Sequence, residues 1–240
     1  MRIWDLAPGY LSRQSLLGEH RELHGLHSIL VHRKTGYSRH PETRRWVGCI
    51  PSLVRRHEFL AAEMRLRGYS DRTPLSPGRI ARVRWPTSFV TAPVDQFLLI
   101  GEKYSGQIAG RIALPRSVHE LWAQHKYSML ARDPSRYREI GRRVARLRGR
   151  AGFTELAEEL VLALREMPRP GHLATGVEHM WGYVSRLAEP AERRDALRSP
   201  AALLRLTQNL AMRHSEPYLL ASTALSELAV FVTGDHPSGR

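Results

Sequence analysis

Gln14-Ser15-Leu16-Leu17-Gly18-Glu19-His20-Arg21-Glu22-Leu23-His24-Gly25 lies inside a longer stretch, Leu11 to Val31, in which Leu16, Leu23, Leu26, Ile29 and Leu30 recur at helical spacing. That period predicts an amphipathic helix with an apolar side and a charged side. Residues three and four apart share a face of such a helix, so Glu22 falls between Gly18 and Gly25. Two glycines in a helix interior each cost about 1 kcal/mol relative to alanine, which points to a ligand or another backbone approaching closely beside that carboxylate. Plain close packing of helices accounts for the same pattern. Arg21 and Gln14 border the face and supply a fixed cation and a neutral hydrogen-bonding group, a mixture suited to a charged substrate. An Arg–Glu neighbour on a solvated helix is the ordinary alternative.

His20, His24 and His27 make a second stripe on this helix, with the i, i+4 spacing of helical metal ligands. The comparison with the zinc-protease motif fails. Arg21 stands where that motif needs a glutamate, and Glu22 points about 160–200° away from the stripe. The pattern therefore reads as a histidine face, with no metal and no cofactor expected.

Outward from this helix, a polar, turn-prone stretch from Arg33 to Arg45 leads to a second helix over Ser52–Arg67, with Leu53, Leu60 and Met64 on one side and Gly68 as the stop. Asp71 to Pro115 is rich in proline and glycine with one short apolar run at Phe97–Ile100, and reads as mostly irregular chain. Helical signals return at Val118–Ala131, at Ser135–Arg148 behind the cap Asp133-Pro134, and from the cap Thr154 to Met167. They continue at Thr175–Ala188, Pro190–Leu197, Pro200–Arg213 and Pro217–Phe231. With no repeat and almost no strand pattern, the expected fold class is all-α. The expected organisation is an N-terminal domain over 1–114 that includes the irregular connection, a helical domain over 115–233, and a frayed tail over 234–240.

The 240 residues carry 37 Lys and Arg against 23 Asp and Glu, a formal net charge of +14. Such an excess suits a polyanionic partner, and nucleic acid, the ribosome and anionic membranes all qualify. The single cysteine, Cys49, excludes an intrachain disulfide and any multi-cysteine zinc or iron–sulfur site. No apolar run reaches the roughly eighteen residues of a membrane span, and Met1-Arg2-Ile3-Trp4-Asp5 lacks the layout of a signal peptide. The expectation is a soluble cytoplasmic monomer.

Arg2-Ile3, then Gln14, Glu19, Arg21, Glu22 and Leu23, then Glu63-Met64-Arg65-Leu66-Arg67-Gly68-Tyr69 follow one another at a spacing that resembles the pyrimidine-dimer DNA glycosylase, or endonuclease V, family. The likeness covers about the first third of the chain. It implies a compact helical enzyme without a metal that acts on damaged double-stranded DNA. In that family an N-terminal α-amine attacks C1′ of the damaged nucleotide and a helix glutamate, here Glu22, manages protons. The resulting Schiff base allows abasic-site lyase chemistry by β-elimination. The family nucleophile is a threonine exposed by methionine removal; here Met1 itself precedes the shared Arg-Ile, and the bulk of Arg2 should keep it in place. An α-amine, with an unperturbed pKa of about 7.7–8.0 against about 10.4 for lysine, is the better nucleophile at neutral pH. Arg2 and Arg21 match positions that hold phosphates or the lesion, while Gly25 stands where the family has another arginine and Ser15 replaces a histidine. Trp46 and Trp85 are candidate stacking faces, with core burial as the alternative.

In the second half, Leu121 to Tyr127, Ala131 to Glu139, His179-Met180-Trp181-Gly182-Tyr183 and Pro217-Tyr218-Leu219 resemble an uncharacterised YbgA-like helical domain. That domain is also found fused to thiouracil desulfidases, a context that implies nucleic-acid handling. His125, Lys126 and Tyr127 set a cation between two rings, near Arg132, Arg136, Arg142 and Arg143, and so offer a DNA-tracking surface. Buried rings beside a solvated arginine face are the alternative. Three functions follow in order: a glycosylase with abasic-site lyase activity, a lyase or glycosylase for other lesions, and a non-catalytic DNA- or RNA-binding module.

Overall fold

The computed structural model describes residues 2–75, 83–105 and 108–232, and every regular element among them is helical, as the all-α reading required. The chain divides into two compact units, Met1–Gly110 and Arg111–Arg240. The division falls after Gly110 rather than at 114 because Arg111 already belongs to the second unit, where its guanidinium donates to the carbonyls of Leu220 and Ser222. The tail 234–240 lies outside the described residues. Among the described residues, no helix is long and apolar enough to cross a membrane.

In the first unit an extended segment leads through a short 3-10 turn, Pro8–Tyr10, into α1 (Arg13–His32). Ser12 caps α1 by accepting the Ser15 amide, and Arg33 closes it in the left-handed conformation. After the five-residue α2 (Pro41–Arg45) comes α3 (Ile50–Leu66), which ends where Gly68 takes φ +80° and the Tyr69 amide donates back to the Met64 carbonyl. Leu16, Leu23 and Leu26 of α1 and Leu53, Leu60 and Met64 of α3 are all buried, and the two helices pack together.

The irregular reading of Asp71–Pro115 is corrected by α4 (Pro93–Lys103). Pro93 opens this helix, and Gln96, Phe97 and Ile100 are its buried side. The Phe97 ring meets Tyr10 edge-on at 5.1 Å, and the Tyr104 hydroxyl after the helix accepts the Ser12 amide. Gly110 is obligatory, because a Cβ there would lie 2.4 Å from the Tyr10 carbonyl.

The second unit is a bundle of α5 (Val118–Leu130), α6 (Pro134–Ala145), α7 (Phe153–Leu164), α8 (Pro170–Val184), α9 (Pro190–Ala196) and α10 (Pro200–Arg213). The buried helix α5 packs against α6, α7 and α8, while α10 packs on α8 and α9. Asp133 caps α6 as expected. Several boundaries differ from the sequence reading: α6, α7 and α8 end three or four residues earlier than expected, α7 is preceded by Gly152 at φ +69° rather than capped by Thr154, and α8 begins at Pro170 rather than near Thr175. The expected helix over Pro217–Phe231 is broken into α11 (Pro217–Leu220), α12 (Ala224–Glu227) and α13 (Ala229–Val232). The break has a cause, since the Thr223 amide and hydroxyl both donate to the Gln124 carbonyl of α5 and leave the helical path.

Candidate active site

The N-terminal segment is pinned residue by residue onto the first unit. The backbone N–H of Arg2 donates to Glu22 Oε2 at 2.5 Å, and that of Trp4 to Glu19 Oε1 at 3.2 Å. Asp5 is gripped by both Arg45 guanidinium nitrogens, at 2.8 and 3.1 Å, and by the amide side chain of Gln96. Arg56 donates to the Leu6 carbonyl, and Arg67 to those of Pro8, Gly9 and Leu11. Unpaired backbone groups in a buried segment are costly, and here the side chains of Glu19, Glu22, Arg56, Arg67 and Gln96 satisfy them in place of a sheet or helix.

Glu19 and Arg56 are the buried centre of this arrangement, 2 % and 4 % exposed, joined through both carboxylate oxygens at 2.8 and 2.9 Å. Burial raises the Glu19 carboxyl above the ordinary carboxylate range, with Arg56 pulling it back down. Glu19 is thus a positioning group for the N-terminal segment. Glu22, one helical step further round, is exposed.

Beside Glu22 opens a cleft of about 490 Å³, lined on α1 by Gln14, Ser15, Gly18, Arg21 and Glu22, and on the N-terminal segment by Arg2 and Trp4. Leu99 and Lys103 of α4 complete its wall. The Arg2 guanidinium rests 4.9 Å above the Trp4 ring. A Cβ at Gly18 or Gly25 would meet nothing within 4 Å, so helix packing does not account for the two glycines; open space adjoins the carboxylate face.

The structure therefore brings together Arg2, Gln14, Arg21 and Glu22 from the sequence reading. Met1 lies outside the described residues. Lys103 and Leu99 were missed because α4 itself was missed, although the Phe97–Ile100 run with Pro93 before it carried the signal. The Glu19–Arg56 pair was unreadable in advance, since its partners stand 37 positions apart.

Of the expected nucleic-acid contacts, Trp46, His125 and Tyr127 are buried in the core, while Lys126 is half-buried. Trp46 is 1 % exposed and donates its indole N–H to Glu42, so it presents no face to a base; Trp85 leans on it at 6.0 Å. His125 is 3 % exposed and bonds through Nδ1 to the Leu121 carbonyl, and Tyr127 is buried with its hydroxyl donating to Tyr183. Lys126 lies over the rings of Tyr127 and Tyr218 at 5.0 and 4.8 Å. Arg132 is buried and spends its guanidinium on the Ser128, Leu164 and Glu166 carbonyls and on Glu227, while Arg136 and Arg143 pair with Glu159.

The histidine stripe has also changed membership. His20 and His24 turn toward His57 of α3, and His27 is not in the group. Burial holds the His57 imidazole down at about 4 against the opposing pull of Asp71, and burial likewise lowers His24.

An exposed carboxylate that shares the lining of an open cleft with Arg2, Arg21 and Lys103 fits an enzyme that handles an anionic substrate. Residues 1–77 match the family described as pyrimidine dimer DNA glycosylase, and residues 126–228 match a family described as a protein of unknown function, DUF1722. No curated protein and no solved structure matches the chain. The N-terminal part is thus similar to DNA glycosylases, with DNA the partner that the family implies.

Proposed function

We propose that the first unit is a pyrimidine-dimer DNA glycosylase that also cleaves at the abasic site, with the α-amino group of Met1 as nucleophile and Glu22 as its acid–base partner. The observation that carries this reading is the hydrogen bond from the Arg2 amide to Glu22. Three covalent bonds separate that amide nitrogen from the preceding α-amine, so Glu22 and the amine are held to one neighbourhood by bond lengths alone. The contacts of Arg45, Arg56 and Arg67 with residues 5–11, added to the burial of Ile3, Trp4 and Leu6, support the same reading, because they fix the segment next to Glu22.

The amine attacks C1′ and the C1′–N bond breaks, with its electron pair leaving on the base. Opening of the sugar ring then gives a protonated Schiff base. Its positive charge acidifies C2′, loss of the C2′ proton expels the 3′ phosphate, and hydrolysis frees the amine. Glu22 stabilises the cation, assists ring opening and carries the proton. Arg2, Arg21 and Lys103 hold backbone phosphates or the lesion, and Gln14 offers neutral hydrogen bonds at the edge. The open surface at Gly25, where the resemblance implies a further arginine, favours a lesion range that differs from the family's own, abasic sites included.

Borohydride trapping tests the proposal. Untagged protein incubated with dimer-bearing or abasic duplex and then reduced is expected to yield a covalent adduct that peptide mass spectrometry maps to Met1. Lack of an adduct on every such duplex leaves only the non-catalytic binding module.

A further inference from the structure

The histidines that the glycosylase chemistry leaves unused converge on one point. Nε2 of His57 lies 3.1 Å from Nε2 of His20 and 3.2 Å from Nε2 of His24. Asp71, just beyond α3, places Oδ1 3.3 Å from His20 Nε2 and Oδ2 3.6 Å from His57 Nε2. Three imidazole nitrogens and a carboxylate, brought from two helices and a following loop, thus face a common centre.

Hydrogen bonding among the rings satisfies this arrangement poorly. A neutral imidazole has one ring N–H, and His57 Nε2 stands between two other Nε2 atoms, so it cannot donate fully to both. A cation at the centre satisfies all of them at once. The two edges through His57 are close to those of tetrahedral zinc, whose Zn–N bonds of about 2.0–2.1 Å give N···N edges of about 3.3–3.4 Å, and all three histidine donors lie within 4.8 Å of one another. The Asp71 carboxylate is itself oriented, since its Oδ1 accepts the Thr73 amide at 2.9 Å. Metal ligands are characteristically held by such outer contacts.

We propose that His20, His24, His57 and Asp71 bind a divalent transition-metal ion, zinc by the nature and number of the donors. Three imidazoles and one carboxylate close a four-ligand shell, which assigns the ion a structural role. The ion ties α1 to α3 and to the chain at Asp71, and it lies on the side of α1 turned away from Glu22. The site is independent of the glycosylase reading.

Full-length protein stripped with EDTA and titrated with zinc chloride is expected to retain a single equivalent through dialysis and to gain thermal stability. Cobalt(II) in its place is expected to give the intense visible absorption of a tetrahedral centre. His24→Gln and Asp71→Asn, both at half-buried positions that spare the core, should weaken zinc binding by more than about 100-fold, beyond the range seen for outer-contact losses. His27→Gln should leave it unchanged. Failure of the wild-type chain to retain zinc, an octahedral cobalt spectrum, or a loss in His27→Gln equal to that in His24→Gln overturns the site.

Discussion

The backbone N–H of Arg2 donates to Glu22 Oε2 at 2.5 Å, which ties the start of the chain to the exposed carboxylate of α1. Replacing Glu22 by glutamine keeps an acceptor for that amide and removes the acid–base group. Base release from a dimer-bearing duplex should fall by about 10²–10⁴-fold, while affinity for the duplex, read by fluorescence anisotropy, stays within a few-fold. A comparable loss of affinity would instead make Glu22 a binding residue.

The Glu19–Arg56 pair separates positioning from stability. Arg56→Met leaves a buried carboxylate without its cation and should destabilise the first unit by about 3–5 kcal/mol in urea unfolding. Glu19→Leu combined with Arg56→Met should recover much of that stability, since replacing both charges by apolar groups is often neutral or better. Base release should not recover with it, because the Trp4 and Leu6 backbone contacts are gone. A double variant that regains both stability and activity excludes the positioning role.

Gly18 faces open space on the cleft side of α1. Gly18→Leu should therefore fold, with stability unchanged or raised by up to about 1 kcal/mol from helix propensity. Its side chain would occupy the approach to Glu22, so KM for damaged duplex should rise and trapping should slow. Unaltered kinetics in a folded Gly18→Leu protein would place the substrate elsewhere.

His125 in the second unit gives that unit an acid limit. Burial lowers its folded pKa to about 4, against the lesser upward effect of its bond to the Leu121 carbonyl, whereas the unfolded value is about 6.5. Between these values the unfolded chain binds a proton that the folded chain refuses. The contribution is fully present above about pH 6.5 and is lost as pH falls toward 4, by about 3 kcal/mol in total. Unfolding curves at several pH values should show a shallower dependence for His125→Gln than for the wild type across that window; identical slopes would refute the assignment.

The all-α class, the extents of α1, α3, α5 and α10, and the grouping of Gln14, Arg21 and Glu22 on one face were written in local periodicity and capping. The period of a helix sets which side chains share a side, whatever packs there. The resemblance at residues 2–69 pointed to the glycosylase family, and the family match over residues 1–77 agrees with that; the amine and lyase chemistry belong to the proposal. Other features depend on partners far along the chain, and these only the tertiary structure decided. Trp46, His125 and Tyr127 look like ligand-binding rings in sequence and are core in space, because burial depends on what covers a ring and not on its neighbours in the chain. The same reason hides α4 as a cleft wall, joins Glu19 to Arg56, and replaces His27 by His57 and Asp71. A local pattern argued against a metal on α1; the third and fourth donors came from α3 and the loop beyond it, where no helical period could point.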